Sequence, residues 1–284
     1  MTSESVSYAT GTIASCNGKD SAFALGLEVR ARAVPCKGKG ISFKGCKVSR
    51  EVNKSVEKAK RFLKVKGGIR IEIDNGIPAK SGLGEDEAIA VAAALSLAAE
   101  KGRTMELQLD KFLRTQVFET GDGFVNKKDL VEYIHVPGMS FARLCASLFG
   151  GFFVTEGKKI LRRGEMENLQ AVVLASKGGN LKPATDIAWQ EALKGNLYQA
   201  MRLNSSLSGS DDVMQKMLGK GALTVATSGN SVIGLVRGKK ATKISGKIKT
   251  RISNIEARVL QKPRKILRIN EFMRLKGEQE FYFL

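Results

Sequence analysis

The segment Asp74–Gly84 reads DNGIPAKSGLG and joins the alternating run Ile69–Ile73 to the alanine-rich run Glu85–Lys101. A strand, a glycine-rich turn and a helix in that order can hold phosphate. Glycines let the backbone approach an anion closely, and the amides that open the helix point at it with the positive end of the helix dipole. Pro78, Ser81, Gly82, Leu83 and Gly84 are therefore the candidates to hold a phosphate. The loop lacks the Gly-Lys-Ser/Thr of a Walker A motif and the spacing of a dinucleotide fingerprint. A plain turn before a helix is the alternative reading. Three acids follow, Glu85, Asp86 and Glu87. Carboxylates suit a helix N-terminus, where they can simply cap it, but they repel a triphosphate unless a metal intervenes. Asp86 or Glu87 is the type of residue that holds magnesium, and Asp86 is the one singled out.

Other chemistry is thinly represented. Cys16, Cys36, Cys46 and Cys145 form no CxxC pair, and the single histidine, His135, stands apart from them. That argues against a zinc site and for thiols in a reducing compartment. The net charge of +19 fits nucleic acid, anionic phosphates or a generally basic proteome. Aromatics make up only 6% of the chain and do not interleave with the cations, which argues against nucleic-acid binding as the main function. The first thirty residues show no secretory pattern, and the longest apolar stretch, Ala88–Ala99, is too short to span a bilayer. A cytoplasmic protein without membrane contact is expected.

The elements that must position the loop follow from periodicity. Leu27, Val29, Ala31 and Ala33 alternate within a strand over Phe23–Val34, preceded by a loop over Cys16–Asp20. Val52, Val56, Ala59, Phe62 and Leu63 mark an amphipathic helix over Glu51–Lys64, which Gly67 and Gly68 end. Glu85–Lys101 is a helix closed by Gly102, Asp110–Phe118 a short helix, and Phe141–Leu148 a helix stopped by Gly150 and Gly151. Gly121–Gly138 reads as an insertion or lid. Strands are expected at Phe152–Thr155, Leu169–Ser176, Ala222–Ala226 and Val232–Val236, and helices at Ala184–Lys194, Leu197–Leu203 and Asp211–Leu218. In the basic tail Lys262–Lys276, the apolar Ile266, Leu267, Ile269 and Phe272 suit a helix packed inward. Mixed elements throughout give the class α+β or α/β, and α+β is the one taken forward.

Several segments together carry a resemblance. Pro78, Gly82, Leu83, Gly84 and Ala88 are similar to the phosphate loop of the GHMP small-molecule kinases. Gly11-Thr12-Ile13, with Gly18-Lys19-Asp20-Ser21-Ala22-Phe23, resembles the N-terminus of the archaeal shikimate kinases within that superfamily. Ala146-Ser147 with Gly150-Gly151, the run Ala188 to Ala200, and Gly221-Ala222 with Ser228-Gly229 resemble the later motifs, so the likeness runs from Tyr8 to Val236. It implies a two-lobed GHMP-kinase fold, with a ribosomal-protein-S5-like N-terminal lobe over residues 1–155 and a ferredoxin-like C-terminal lobe over 156–284. It also implies ATP and Mg2+ as cofactors and phosphoryl transfer to a hydroxyl of a small molecule, shikimate, in aromatic amino-acid synthesis. By the same likeness Lys19 lies near substrate or phosphate, and Ser21, Ser228 and Gly229 bind substrate.

The motifs also depart from that pattern. The helix opens with acids where the family has serines. An aspartate pair is expected before Ala146-Ser147, and Ala142 and Arg143 stand there instead. A guanidinium does not accept a proton, so Arg143 is assigned to phosphate or to a substrate carboxylate. Asp122, upstream, would replace the lost acid if its loop folds back. The third motif is shortened to Ser228-Gly229-Asn230-Ser231. Three readings stay open: a divergent shikimate kinase, a kinase-fold protein that binds without catalysis, and a nucleic-acid-binding protein.

Overall fold

The computed structural model describes residues 3–109, 114–120, 123–175, 186–238, 244, 248–263 and 265–276. The chain opens with a long hairpin, Ser3–Cys16 and Lys19–Cys36. The loop expected over Cys16–Asp20 is only the two-residue turn Asn17-Gly18, with φ of 48° and 79°. Both residues take the left-handed conformation that matches strand twist, and an Asn-Gly pair is the usual sequence for it. Lys19 and Asp20 are thereby strand residues, paired with Cys16 and Ser15.

The second strand is long enough to serve two partners along one edge. Val29–Cys36 pairs with Gly68–Asn75, and Lys19–Phe23 pairs with Phe152–Glu156. The short strand Gly40–Lys44 runs parallel to Gly68–Asn75. The strand Arg258–Val259 returns to the outer edge of the first strand. The strand Phe152–Glu156 continues into a hairpin with Lys159–Gly164. A second sheet, all antiparallel, has the order Thr224–Ser228, Ser231–Val236, Gln170–Ala175, Ile248–Arg251. A third joins Ile266–Arg268, Arg103–Gln108, Arg114–Thr120 and Gly123–Asn126. The architecture is α+β, as expected.

The helix Glu85–Lys101 is central, with every residue from Glu87 to Ala98 buried. A helix that is apolar all round has no solvent face and sits inside the protein. Its alanines let the first strand come close, and that strand meets it with hydroxyls. Ser5 Oγ donates to the Ala92 carbonyl at 2.7 Å, and Ser7 Oγ to the Ala88 carbonyl at 2.6 Å. Ser3 and Ser7 are buried on the same face. Ser3, Ser5 and Ser7 thus form a period-two packing face, with Ser5 and Ser7 satisfied by helix carbonyls and Ser3 by the Ala33 carbonyl of the second strand at 2.8 Å. The helix Arg50–Phe62 is capped by Ser49, whose side chain accepts from the Val52 amide. It buries Val52, Val56 and Ala59.

Two expected elements take other forms. Asp110–Phe118 was expected as a helix; its described part belongs to the strand Arg114–Thr120, paired with Arg103–Gln108. Cross-strand pairing overrides local propensity there. The tail is a strand, Ile266–Arg268, followed by the helix Ile269–Lys276. Leu267 and Phe272 are fully buried with Met105, Leu107 and Val117, whereas Ile266 is half exposed. The boundary expected after residue 155 falls in the strand Phe152–Glu156. No helix among the described residues is long and apolar enough to cross a membrane.

The four thiols are free, Cys36 exposed and Cys145 buried. Burial pushes the Cys145 thiol far above its ordinary range. Burial also raises Cys46, and the nearby Glu85 and Asp86 add to this. Iodoacetamide on the folded protein should therefore label Cys36 first and leave Cys145 unmodified until urea unfolds the chain, as read by peptide mass spectrometry. Native-state labelling of Cys145 would contradict the buried position of the helix that carries it.

Candidate active site

The glycine-rich loop closes over a turn from the second sheet. Ser228 ends the strand Thr224–Ser228, and Gly229-Asn230 turns the chain into Ser231–Val236. Gly82 has φ of 75°, and a Cβ on it would lie 2.6 Å from both the Gly229 Cα and the Ser228 carbonyl oxygen. Gly229 is constrained reciprocally, with a Cβ position 2.7 Å from the Gly82 Cα. The loop and the third motif therefore touch backbone to backbone, which only glycine allows. Gly84 N-caps the helix with φ of 66° and ψ of 36°. Leu83 is buried, and its carbonyl accepts from the Thr10 amide at 2.8 Å. Pro78 is exposed, and its carbonyl accepts from the Ser81 amide at 3.2 Å.

Ser228 is the hub. Its Oγ donates to the Gly82 carbonyl at 2.7 Å and accepts from the Thr12 amide at 3.1 Å. It also accepts from Arg143 Nη2 at 3.1 Å. The same guanidinium nitrogen donates to Thr12 Oγ1. Four segments far apart in sequence thus meet at one hydroxyl and one guanidinium. Arg143 is in the first turn of the helix Phe141–Phe149, where its amide donates to the capping Ser140 Oγ.

Beside this hub is a cavity of about 330 Å³ whose polar wall includes Thr12, Ser15, Asp20, Ser21, Glu87 and Arg143. Two carboxylates and one guanidinium face one small volume. Glu87 is buried, and its Oε1 accepts from the Ser140 amide at 3.1 Å. Asp20 Oδ1 accepts from Ser15 Oγ at 2.5 Å. The Ser21 hydroxyl accepts from the Ala14 amide at 3.0 Å and donates to the Ala14 carbonyl at 3.1 Å. It spans a register shift between Thr12 and Ala14.

The structure therefore brings Arg143, Ser21, Ser228, Gly229 and the glycines of the loop into one region. Lys19 does not line this cavity. Its ammonium pairs with Asp186 at 2.8 Å and lies 4.9 Å from the Trp189 ring centroid. The hydrogen bond to Asp186 raises the lysine pKa, and the same bond lowers that of the aspartate. Asp20, the adjacent strand residue, faces the cavity instead, as a period of two requires. Asp122 lies outside the described residues. Asp86 is half-buried and does not line the cavity, whereas Glu87 does.

Asp20 is the functional candidate that sequence reasoning passed over; of Asp86 and Glu87, the two acids considered for magnesium, it is Glu87 that lines the cavity. The Asn17-Gly18 turn was the available signal for Asp20, because it sets the register of the hairpin. Among the described residues no group of three or more His, Cys, Asp or Glu side chains could hold a metal alone. Magnesium that arrives with a nucleotide needs only one or two carboxylates, the rest of its shell being phosphate and water. Glu87 is the carboxylate of the helix start that lines the cavity, a donor of that kind.

No known family profile matches the chain. Solved structures do resemble it. A phosphotransferase related to the CoA biosynthesis pathway superposes with a TM-score of 0.64 at 14% identity, over 90% of this chain and 97% of the other. Homoserine kinase from Cytophaga hutchinsonii gives 0.60 at 18% identity, over 92% and 98% of the two chains. Mevalonate kinase from Methanococcus jannaschii gives 0.60 at 12% identity, over 91% and 98%. The fold is that of the GHMP small-molecule kinases.

Proposed function

We propose that this protein transfers the γ-phosphoryl group of ATP to a hydroxyl of a small carboxylate-bearing acceptor, with shikimate as the candidate. The observation that carries this reading is the meeting of Arg143, Thr12 and Ser228 beneath the glycine loop, at the wall of a cavity that also holds Asp20 and Glu87. Phosphoryl transfer needs position and charge stabilisation more than covalent chemistry. A guanidinium at the joint between loop and cavity is placed to stabilise charge on the transferred group. Asp20 is the carboxylate available to take the acceptor's proton. The acceptor oxygen would form the new bond to the γ-phosphorus as the bond to the bridging oxygen breaks, ADP leaving with that electron pair. Magnesium, bound with the nucleotide, would supply charge neutralisation, and Glu87 is the residue that would hold it.

Shikimate suits the charge pattern of the wall. Its hydroxyls can donate to the carboxylates of the wall, Asp20 and Glu87. The segment Gly18–Phe23, which holds Lys19 and Ser21, also resembles shikimate kinases. Shikimate, homoserine and mevalonate, the last two named for solved neighbours, form the test panel, with ADP release followed under magnesium-ATP. Turnover that depends on shikimate alone is the expected result. In that assay Asp20→Asn should lower kcat roughly 10²-fold, at the low end for loss of a general base. An unchanged kcat would remove Asp20 from the reaction.

A second reading is favoured by one observation, the packing of the Ser228–Asn230 turn on Gly82. In that reading the fold holds a ligand without turnover. Saturable shikimate or nucleotide binding with no ADP release against any of the three acceptors would favour it.

A further inference from the structure

A second cavity of about 330 Å³ shares no lining residue with the one beside Arg143. It lies at the other end of the nine-residue helix Phe141–Phe149, about 13 Å along its axis. Phe149 and Phe153 supply its apolar wall, and Lys127, Lys128 and Arg163 its cations. The two rings are 5.8 Å apart and tilted by 36°.

Lys127 is the unusual member. It is only 3% exposed and stands at the first position of the helix Lys127–Ile134, where the dipole disfavours a cation. Glu256 pairs with it at 2.7 Å, and the same carboxylate oxygen accepts from Thr115 Oγ1 at 3.0 Å. One third of the Glu256 side chain remains exposed. Glu165 is the other acid in the lining, so three cations face two carboxylates.

The rim is rigid. Asn254 bonds both backbone groups of Met166, accepting from the amide at 3.0 Å and donating to the carbonyl at 2.8 Å. A Cβ on Gly150 would lie 2.6 Å from the Asn254 carbonyl carbon, and one on Gly151 would lie 2.2 Å from the Gly164 carbonyl oxygen. Such close backbone contacts hold the cavity open without a ligand to shape it. An aromatic floor, a net positive lining and a preformed volume fit one class of ligand.

We propose that this cavity binds a small carboxylate with a planar apolar body, its ring against Phe149, which the buried Phe153 backs, and its carboxylate on Lys128 and Arg163. The proposal does not depend on phosphoryl transfer at the other cavity.

Phenylacetate and indole-3-acetate are the probes, with phenylacetamide and inorganic phosphate as controls. Binding to the full chain is measured by titration calorimetry and by thermal melting. Saturable binding of at least one acid is expected, at least tenfold tighter than either control. Arg163 is exposed, so Arg163→Gln should leave the melting temperature of the free protein unchanged. The variant should weaken acid binding about tenfold, as loss of one charge-assisted contact does. Lys128→Gln should act in the same direction. The proposal is overturned if neither acid saturates at millimolar concentration, if the amide or phosphate binds as tightly, or if Arg163→Gln and Lys128→Gln leave acid binding unchanged. Lys127→Met is unsuitable as the primary test, because it leaves Glu256 without its buried partner.

Discussion

Replacing Gly84 with alanine should destabilise the protein by about 2–5 kcal/mol, read from urea unfolding followed by Trp189 fluorescence. Two separate penalties combine. Gly84 has φ of 66°, a left-handed conformation that costs a residue with a Cβ about 1–2 kcal/mol. The added Cβ would also lie 2.0 Å from Thr10 Oγ1 and 3.2 Å from Thr10 Cβ. Overpacking of a filled site typically costs about 1–3 kcal/mol. The two parts can be separated. Thr10 Oγ1 is buried and has no hydrogen-bond partner among the described residues. Thr10→Ala alone should therefore be close to neutral. The double variant should recover about 1–2 kcal/mol of the Gly84→Ala loss by removing the overlap and leave the backbone part. A Gly84→Ala protein within about 0.5 kcal/mol of the parent would show that the loop enters the helix by another path.

Arg143→Met should lower kcat about 10³-fold or more, the range for loss of an arginine that stabilises a transferring phosphoryl group. The fold should tolerate the change. Ser228 Oγ keeps the Gly82 carbonyl and the Thr12 amide as partners, so no buried group loses all its hydrogen bonds. Arg143→Lys should rescue little. An ammonium is a point charge and cannot reproduce the planar fork that addresses Thr12 and Ser228 from one nitrogen while leaving other donors to the cavity. The split between kinetic constants is decisive. A loss confined to KM would assign Arg143 to the acceptor carboxylate rather than to the transferred phosphoryl. A melting temperature that falls steeply would make Arg143 a structural joint between the two sheets.

Both predictions act on one feature, the contact of the glycine loop with the first strand on one side and with the Ser228 turn on the other. Loop, strand and turn come together because each has residues that permit close backbone approach. Gly82, Gly84 and Gly229 are required by how this chain packs on itself. Their presence alone is therefore not a phosphate signature; the guanidinium and the carboxylates beside them give the site its chemical character.

Much of the scaffold was legible from short-range pattern. The helix Glu85–Lys101 has the limits that its alanine run and Gly102 set, and the strand around Ile69–Ile73 follows from alternation. These signals sit in consecutive residues, so local periodicity and helix stops suffice to read them. The Asn17-Gly18 turn was equally local, and it placed Lys19 and Asp20 on opposite faces of one strand. Which face meets the cavity was not local. That depends on Glu87 and Arg143, which arrive from other segments, and on Trp189 and Asp186, which claim Lys19. Asp86 and Glu87 pose the same problem on a helix. One residue step rotates a side chain by about 100°, and only the packed neighbours decide which of the two faces inward. Asp110–Phe118 shows the limit for secondary structure, since pairing with Arg103–Gln108 determined its described part. Local pattern was enough for the helix Glu85–Lys101, the strand around Ile69–Ile73 and the glycine turns, because those depend on neighbours a few residues away, but not for the helix Lys127–Ile134, which lies in a segment read as an insertion or lid. Only the tertiary structure decided the site, because Arg143 and Ser228 are 85 positions apart and meet through the packing of separate sheets.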